Sequence, residues 1–179
     1  MNAEISRPVE WAPQVHAPPA VSAEEGLSAL YRGHRLDLIR LAVLLVGDRE
    51  TAEDVVQDVF ARLHGRRPEV LTLAYVRTCV LNGSRSVLRR RAVALRRTER
   101  ERAPLDSAET TALLGESRRE VLEALLRLPG RQREALVLRY YLDLPEAEIA
   151  RTMRVKESTV RSTTARALAK LHRELGDNA

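Results

Sequence analysis

The chain has 179 residues, with 30 Lys and Arg against 25 Asp and Glu, and a formal net charge of +5. Hydrophobic residues make up 44% but aromatic residues only 3%, so a core must be assembled from Leu, Val and Ala. One cysteine, Cys79, excludes an internal disulfide framework and a multi-cysteine zinc site, and the longest purely apolar run, Leu41 to Val46, is far too short to span a bilayer.

Residues 1–23 hold Pro8, Pro13, Pro18 and Pro19 without apolar periodicity, which predicts a disordered tail. Trp11 there is either a docking residue or a stray aromatic. No basic start followed by an apolar stretch marks a secretory leader, so a cytoplasmic location is expected. From Glu24, the residues Leu27, Leu30, Tyr31, His34, Leu38, Leu41 and Leu45 recur at spacings of three and four, a helical pattern. Gly47 and Asp48 mark a stop and a restart. A second helix carries Ala52, Val55, Val56, Val59, Phe60 and Leu63 on one face. After a loop at Gly65–Pro68, a third helix is predicted from about Leu71 to Arg91 or beyond, with Leu73, Val76, Val80 and Val87 as its apolar face.

An arginine-dominated stretch follows, and the linker is placed at 92–112. Leu113, Leu114, Val121, Leu122, Leu125 and Leu126 resume the helical pattern, which Pro129 and Gly130 break. Ala135, Leu136, Leu138 and Leu142 mark another helix, and two more are predicted over Glu146–Met153 and Glu157–Leu175. No β-type alternation, repeat or Gly-rich phosphate loop is found. The predicted fold is all-α: two small helical bundles, 24–91 and 113–179, joined by a flexible Arg-rich linker, with a helix-turn-helix in the second.

Three surface stripes carry functional information. On the second helix, Asp54, Gln57, Asp58 and Ala61 lie opposite the apolar face. This acidic patch fits either a basic protein partner or a plain solvated face. On the third helix, Tyr75, Thr78, Asn82, Arg85 and Arg89 form a polar row. Arg pairs bidentately with phosphate or guanine, Asn with adenine, and Tyr stacks on exposed bases. Gly83 in mid-helix points to close packing. At the C-terminus, Glu148-Ile149-Ala150, the turn to Val155 and Val160 have helix-turn-helix spacing. In the last helix Val160, Thr164, Leu168, Leu171 and Leu175 are predicted to face the core. Ser158, Thr159, Ser162, Arg166 and Arg173 face away, with Arg161 and Lys170 on the flanks. Small polar groups near the N-terminus of such a helix approach bases, and basic groups along it meet phosphates.

These stripes, in this order, resemble the extracytoplasmic-function (ECF) sigma factors of bacterial RNA polymerase, a branch of the sigma-70 family. In the first half the resemblance rests on Gly47-Asp48-Arg49, on Ala52 through Phe60, and on Tyr75-Val76-Arg77 with Asn82 and Arg85. In the second it rests on Leu128 through Glu134, Val137 through Tyr141, Glu148-Ile149-Ala150 and Ser158 through Ser162. The resemblance implies that Asp54, Gln57, Asp58 and Ala61 dock on core RNA polymerase, at the β′ coiled coil. It implies that Tyr75, Thr78, Asn82, Arg85 and Arg89 read and hold the minus-ten promoter element. The loop at Gly65–Thr72 would take an extruded base of the non-template strand. Ser158, Thr159, Arg161, Ser162, Arg166 and Lys170 would face the minus-35 element. The linker would run through the RNA-exit region, and the β flap and an anti-sigma factor are further implied partners. The implied protein is a non-catalytic specificity subunit, with no cofactor.

The sequence departs from the family pattern at particular positions. Arg154 stands where Gly is usual in the helix-turn-helix turn, and Lys156 where Ser or Thr commonly caps. Pro145 replaces a polar residue before the preceding helix, and Thr163-Thr164 replaces a common Arg-Leu pair, which would remove one cation from the DNA face. Two alternatives remain open: a stand-alone helix-turn-helix regulator, and a decoy that binds polymerase without reading DNA. The enzyme class fares badly, since His16, His34, His64 and His172 have no metal-ligand spacing and no nucleophile–base cluster is evident. Cys79 reads as a packed small hydrophobe. Eight arginines and two glutamates between Arg85 and Arg102 give that segment +6, so the rest of the chain sums to −1.

Overall fold

Helical periodicity in the first half becomes three helices in the computed structural model, which describes residues 23–97 and 119–176. Helix α1 spans Ala23–Val46, α2 spans Arg49–Leu63 and α3 spans Leu73–Arg97. Between α1 and α2 the chain turns at Gly47, whose φ of +97° suits glycine. The Asp48 carboxylate then caps α2 by accepting from the Thr51 amide at 2.8 Å. A single 3-10 turn, Pro68–Val70, precedes α3. Thr72 caps α3 in the same way, its hydroxyl oxygen accepting from the Tyr75 amide at 3.2 Å. Gly83 lets α2 and α3 approach closely, because a Cβ there would stand 3.0 Å from Val55 Cγ1.

In the second half, α4 spans Arg119–Leu126, α5 Gly130–Leu136, α6 Glu146–Met153 and α7 Glu157–Gly176. The tail, most of the linker and Leu113–Leu114 lie outside the described residues. Helix α3 continues to Arg97, so residues 92–97, read as linker, are helical. The single helix read across Ala135–Leu142 is instead α5 followed by a π-helical turn, Val137–Tyr141, closed by the Leu142 amide on the Val137 carbonyl at 3.1 Å. Pro129 and Pro145 occupy the N-cap positions of α5 and α6, where their carbonyls accept the first amides of each helix. Pro145 thus sits just before the first helical turn. No strand occurs among the described residues.

The buried stripe of α7 is rotated from the sequence reading. Val160, Thr163 and Ala167 are buried, Thr164 and Leu171 are half-buried, and Leu168 is 40% exposed. Thr163 therefore belongs to the core and removes no cation from the outer face. Small residues win these positions because α5 and α6 pack closely over α7. On α3, Leu81 and Ser84 join Val76 and Val80 in the core, while Val87 and Leu73 are only half-buried.

The two bundles share one hydrophobic core. In the C-terminal half of α1, Leu38, Ile39, Leu41, Ala42, Val43, Leu45 and Val46 are all buried. A helix apolar nearly all round is covered on more than one side. Here α2 and α3 pack on α1, and so do α4, α5 and the π-helical turn. Leu126 lies over Gly47, and the Tyr141 hydroxyl donates to the Asp37 carbonyl at 3.2 Å.

Candidate nucleic-acid and partner interfaces

Helix α2 buries Ala52, Val55, Val56, Val59, Phe60 and Leu63, which fixes its opposite face. Asp54, Gln57, Asp58 and Ala61 are all exposed on that face. Asp58 pairs with Arg62 at 3.0 Å, one turn on, so the patch is partly neutralised by its own helix. Tyr31 meets Phe60 edge-on, with ring centroids 4.9 Å apart, and braces α2 against α1.

On α3, Tyr75, Thr78, Asn82 and Arg89 are exposed along one side. The Thr78 hydroxyl donates to the Ala74 carbonyl at 3.0 Å, and Arg89 donates to the Ser86 hydroxyl at 3.2 Å. Arg85 departs from the expected open row: it is half-buried and engaged by the second half of the chain. Its Nε donates to Glu134 Oε1 at 3.0 Å, and a terminal nitrogen donates to the Thr152 carbonyl at 3.0 Å. Its other terminal nitrogen donates to Asn82 Oδ1 at 2.9 Å.

Arg91 also leaves the basic cluster expected at the end of this helix. It donates to the Val46 carbonyl at 2.9 Å, to Asp48 at 2.8 Å and to the Thr51 hydroxyl at 2.6 Å. It thereby ties α3 to the α1–α2 corner. Burial opposes ionisation of Asp48, but the hydrogen bonds from Thr51 and Arg91 outweigh it and hold the carboxyl below its ordinary range. Cys79 is half-buried on the same helix, and burial pushes its thiol up, away from a reactive thiolate.

The turn between α6 and α7 contains Arg154 with φ 56° and ψ 50°, the left-handed conformation in which an L side chain is strained. Its amide closes α6 on Ala150 and Arg151. Beyond it, Ser158, Thr159, Arg161, Ser162 and Arg166 are exposed on α7, and Lys170 is half-buried at the edge. Arg161 reaches Glu146 of α6 at 3.4 Å. Among the described residues, no three His, Cys, Asp or Glu side chains are grouped to hold a metal, and no helix is long and apolar enough to cross a membrane.

Residues 30–94 match sigma-70 region 2, and residues 118–171 match sigma-70 region 4. The ECF RNA polymerase sigma factor SigM of Mycobacterium tuberculosis is 34% identical over 155 residues, covering 82% of this chain and 76% of SigM. The chain belongs to the ECF sigma factors. Another member of the family, the RNA polymerase sigma-E factor of Streptomyces coelicolor, is 32% identical over 143 residues, covering 77% of this chain and 79% of its own. A solved sigma factor, RpoE from Bartonella quintana in complex with the anti-sigma factor NepR, has the same fold: TM-score 0.61 at 20% identity, covering 83% of this chain and 98% of that one. As an ECF sigma factor, this protein acts in promoter recognition and transcription initiation.

Sequence reasoning missed two residues that shape these interfaces. Glu134 was legible only as part of a motif, and Arg91 only as one of three consecutive arginines. The signal for the first was the apolar run Leu41–Val46, too apolar for a helix with one exposed side.

Proposed function

We propose that the chain divides initiation between its halves, region 24–91 engaging core polymerase and the minus-ten element and region 113–179 engaging the minus-35 element. The acidic face Asp54, Gln57, Asp58 and Ala61 docks on the β′ coiled coil. Tyr75, Thr78, Asn82, Arg85 and Arg89 hold the minus-ten strand, and the loop at Gly65–Thr72 receives a base turned out of the stack. Ser158, Thr159, Arg161, Ser162, Arg166 and Lys170 face the minus-35 major groove, while the linker passes through the RNA exit and the β flap meets the second half. The observation that carries this reading is that, apart from the half-buried Arg85 and Lys170, the named helix residues are exposed on helices whose opposite sides are buried in a core.

The energetics require a partner. Separating promoter strands costs roughly 1.4 kcal/mol per base-pair step, so about ten steps exceed 10 kcal/mol. A few hydrogen bonds and one stacking tyrosine supply far less. The protein is therefore a non-catalytic specificity subunit working with core polymerase in the cytoplasm. An anti-sigma partner belongs to the same reading, since the Bartonella quintana neighbour is a sigma factor in such a complex.

Run-off transcription on genomic fragments, with and without this protein, tests the reading and finds the promoter. Asn82→Ala and Arg166→Ala are expected to lower promoter-specific initiation about fivefold or more while retaining core binding. Asp54→Ala with Asp58→Ala is expected to weaken co-elution with core. Equal product from Asn82→Ala and wild type, or unchanged core affinity in the double variant, would remove the corresponding assignment. Tight binding to free duplex without core would instead favour a stand-alone helix-turn-helix regulator.

A further inference from the structure

The turn that joins α6 to α7 brings together two opposite charges 15 residues apart. A terminal nitrogen of Arg161, exposed on α7, donates to the half-buried Glu146 carboxylate of α6 at 3.4 Å. Glu146 is the first residue of α6, and Pro145 before it offers no side-chain cap. Glu157 stands one turn before Arg161 on α7, at the spacing where a helix pairs its own charges, yet the contact runs across the turn to Glu146. Glu148 is held on its own helix by Arg151 at 3.6 Å. Arg166 is placed differently from Arg161. Its Nε donates to the Ser162 carbonyl of its own helix, and among the described residues it meets no carboxylate.

We infer that Glu146 is a positioning residue for minus-35 recognition: it holds Arg161 toward a base edge and off the phosphates. The inference rests on the minus-35 reading proposed above. A division of labour between the two arginines follows. Arg166, with its charge uncompensated, clamps a phosphate. Arg161, with its charge offset by a carboxylate, reads a base.

The guanidinium has donors enough for both contacts. With one terminal nitrogen on Glu146, Nε and the other terminal nitrogen still form a two-donor edge, and that edge matches O6 and N7 of guanine. A phosphate makes a different demand. To reach one, Arg161 must leave the carboxylate or carry a negative charge up to the polyanion, and either opposes binding to an arbitrary sequence. An acidic residue on a DNA-facing corner lowers affinity for any duplex. It serves recognition where it penalises the wrong sequence more than the right one. Because the pair is open to solvent, its effect is a few-fold rather than a hundredfold.

Binding of the full chain, assembled with core polymerase, to two duplexes over a range of salt tests this. One duplex carries the promoter found by run-off, and the other the same promoter with its minus-35 element scrambled. Glu146→Gln keeps the shape and loses the charge. It is expected to bind the scrambled duplex about threefold more tightly and to lose about threefold of the preference for the intact one. Its slope of log affinity against log salt on the scrambled duplex should steepen by about 0.9, the mark of one more phosphate engaged. Arg161→Lys keeps a cation but not the two-donor edge, and should lose about tenfold of the preference. In an Arg161→Ala background, Glu146→Gln should change neither the preference nor the slope further. An unchanged preference and slope in Glu146→Gln, with wild-type discrimination intact, overturns the inference and leaves the minus-35 reading standing. So does a Glu146→Gln effect of the same size in the Arg161→Ala background, because Glu146 would then act without Arg161. A lower affinity for the intact duplex with no change of slope also overturns it, by making Glu146 a base contact itself. If the wild type does not distinguish the two duplexes, the minus-35 reading falls and takes the inference with it.

Discussion

Helices α3 and α7 present polar and cationic side chains opposite a buried stripe, but those side chains are differently placed. On α7 the Ser162 hydroxyl donates to the Thr159 carbonyl and Arg166 to the Ser162 carbonyl, each at 3.1 Å, so their hydrogen bonds stay within one helix. On α3, Arg85 is bound across the chain by α5 and α6, and Arg91 by the α1–α2 corner. A helical wheel tells which side chains point away from their own core. It does not tell whether another part of the chain arrives to meet them. Arg166 is thus left to its own helix while Arg85 is bound by others, and the difference is tertiary.

The sharpest way to break this contrast is to compare leucines that the sequence treated alike. Leu41 and Leu168 were both read as core, but Leu41 is buried where the two halves meet α1 and Leu168 is largely exposed. Leu41→Ala is expected to cost about 2–5 kcal/mol, whereas Leu168→Ala should stay within about 0.5 kcal/mol. Urea denaturation of both variants checks this, and equal losses would mean that the observed rotation of α7 is wrong.

A smaller effect is expected at the corner that holds Arg91. Asp48→Ala removes a helix cap and a partner of Arg91, and should cost about 1–2 kcal/mol at neutral pH. Because the folded carboxyl is held below its ordinary range, its contribution is present above about pH 4 and is lost as pH falls through the folded value. The gap between wild type and Asp48→Ala should therefore narrow on going from pH 7 to pH 3. A gap independent of pH would show that the carboxylate charge contributes nothing.

The smallest effect is expected in the turn of the helix-turn-helix. Arg154 bears a left-handed backbone cost of about 1–2 kcal/mol. Glycine relieves it but adds roughly 0.5–1 kcal/mol of unfolded-chain entropy. Arg154→Gly is therefore expected to stabilise by about 0.5–1 kcal/mol, read as a rise in Tm. A fall in Tm would reveal that the Arg154 side chain makes a stabilising contact that outweighs the strain.

Most of the architecture was legible because helices leave a local record. Spacings of three and four marked α1, α2, α3 and α7, while Gly47-Asp48 marked the break between α1 and α2 and Pro129-Gly130 that between α4 and α5, to within a residue or two. The acidic face of α2 was legible for the same reason, since its six buried residues leave only one orientation. The π-helical turn was not, because one extra residue in a turn leaves no distinct apolar period. The stripe on α7 was misjudged because leucine was weighted over threonine and alanine. Close helix packing selects small residues, and Thr163 and Ala167 are what fit.

By itself the sequence determined that the chain is all-α, that it has the two sigma-70 regions, and which residues ride opposite each apolar stripe. These are properties of periodicity and motif, and they are set within a few turns of helix. Tertiary structure alone decided which of the charged residues remain free. Pairing Arg85 with Glu134, or Arg91 with Asp48, brings together residues more than 40 positions apart, and no local pattern encodes that meeting. The run Leu41–Val46 set out at first as too short to cross a membrane is the one local trace of it: a segment apolar on every side, because both halves of the protein close around it.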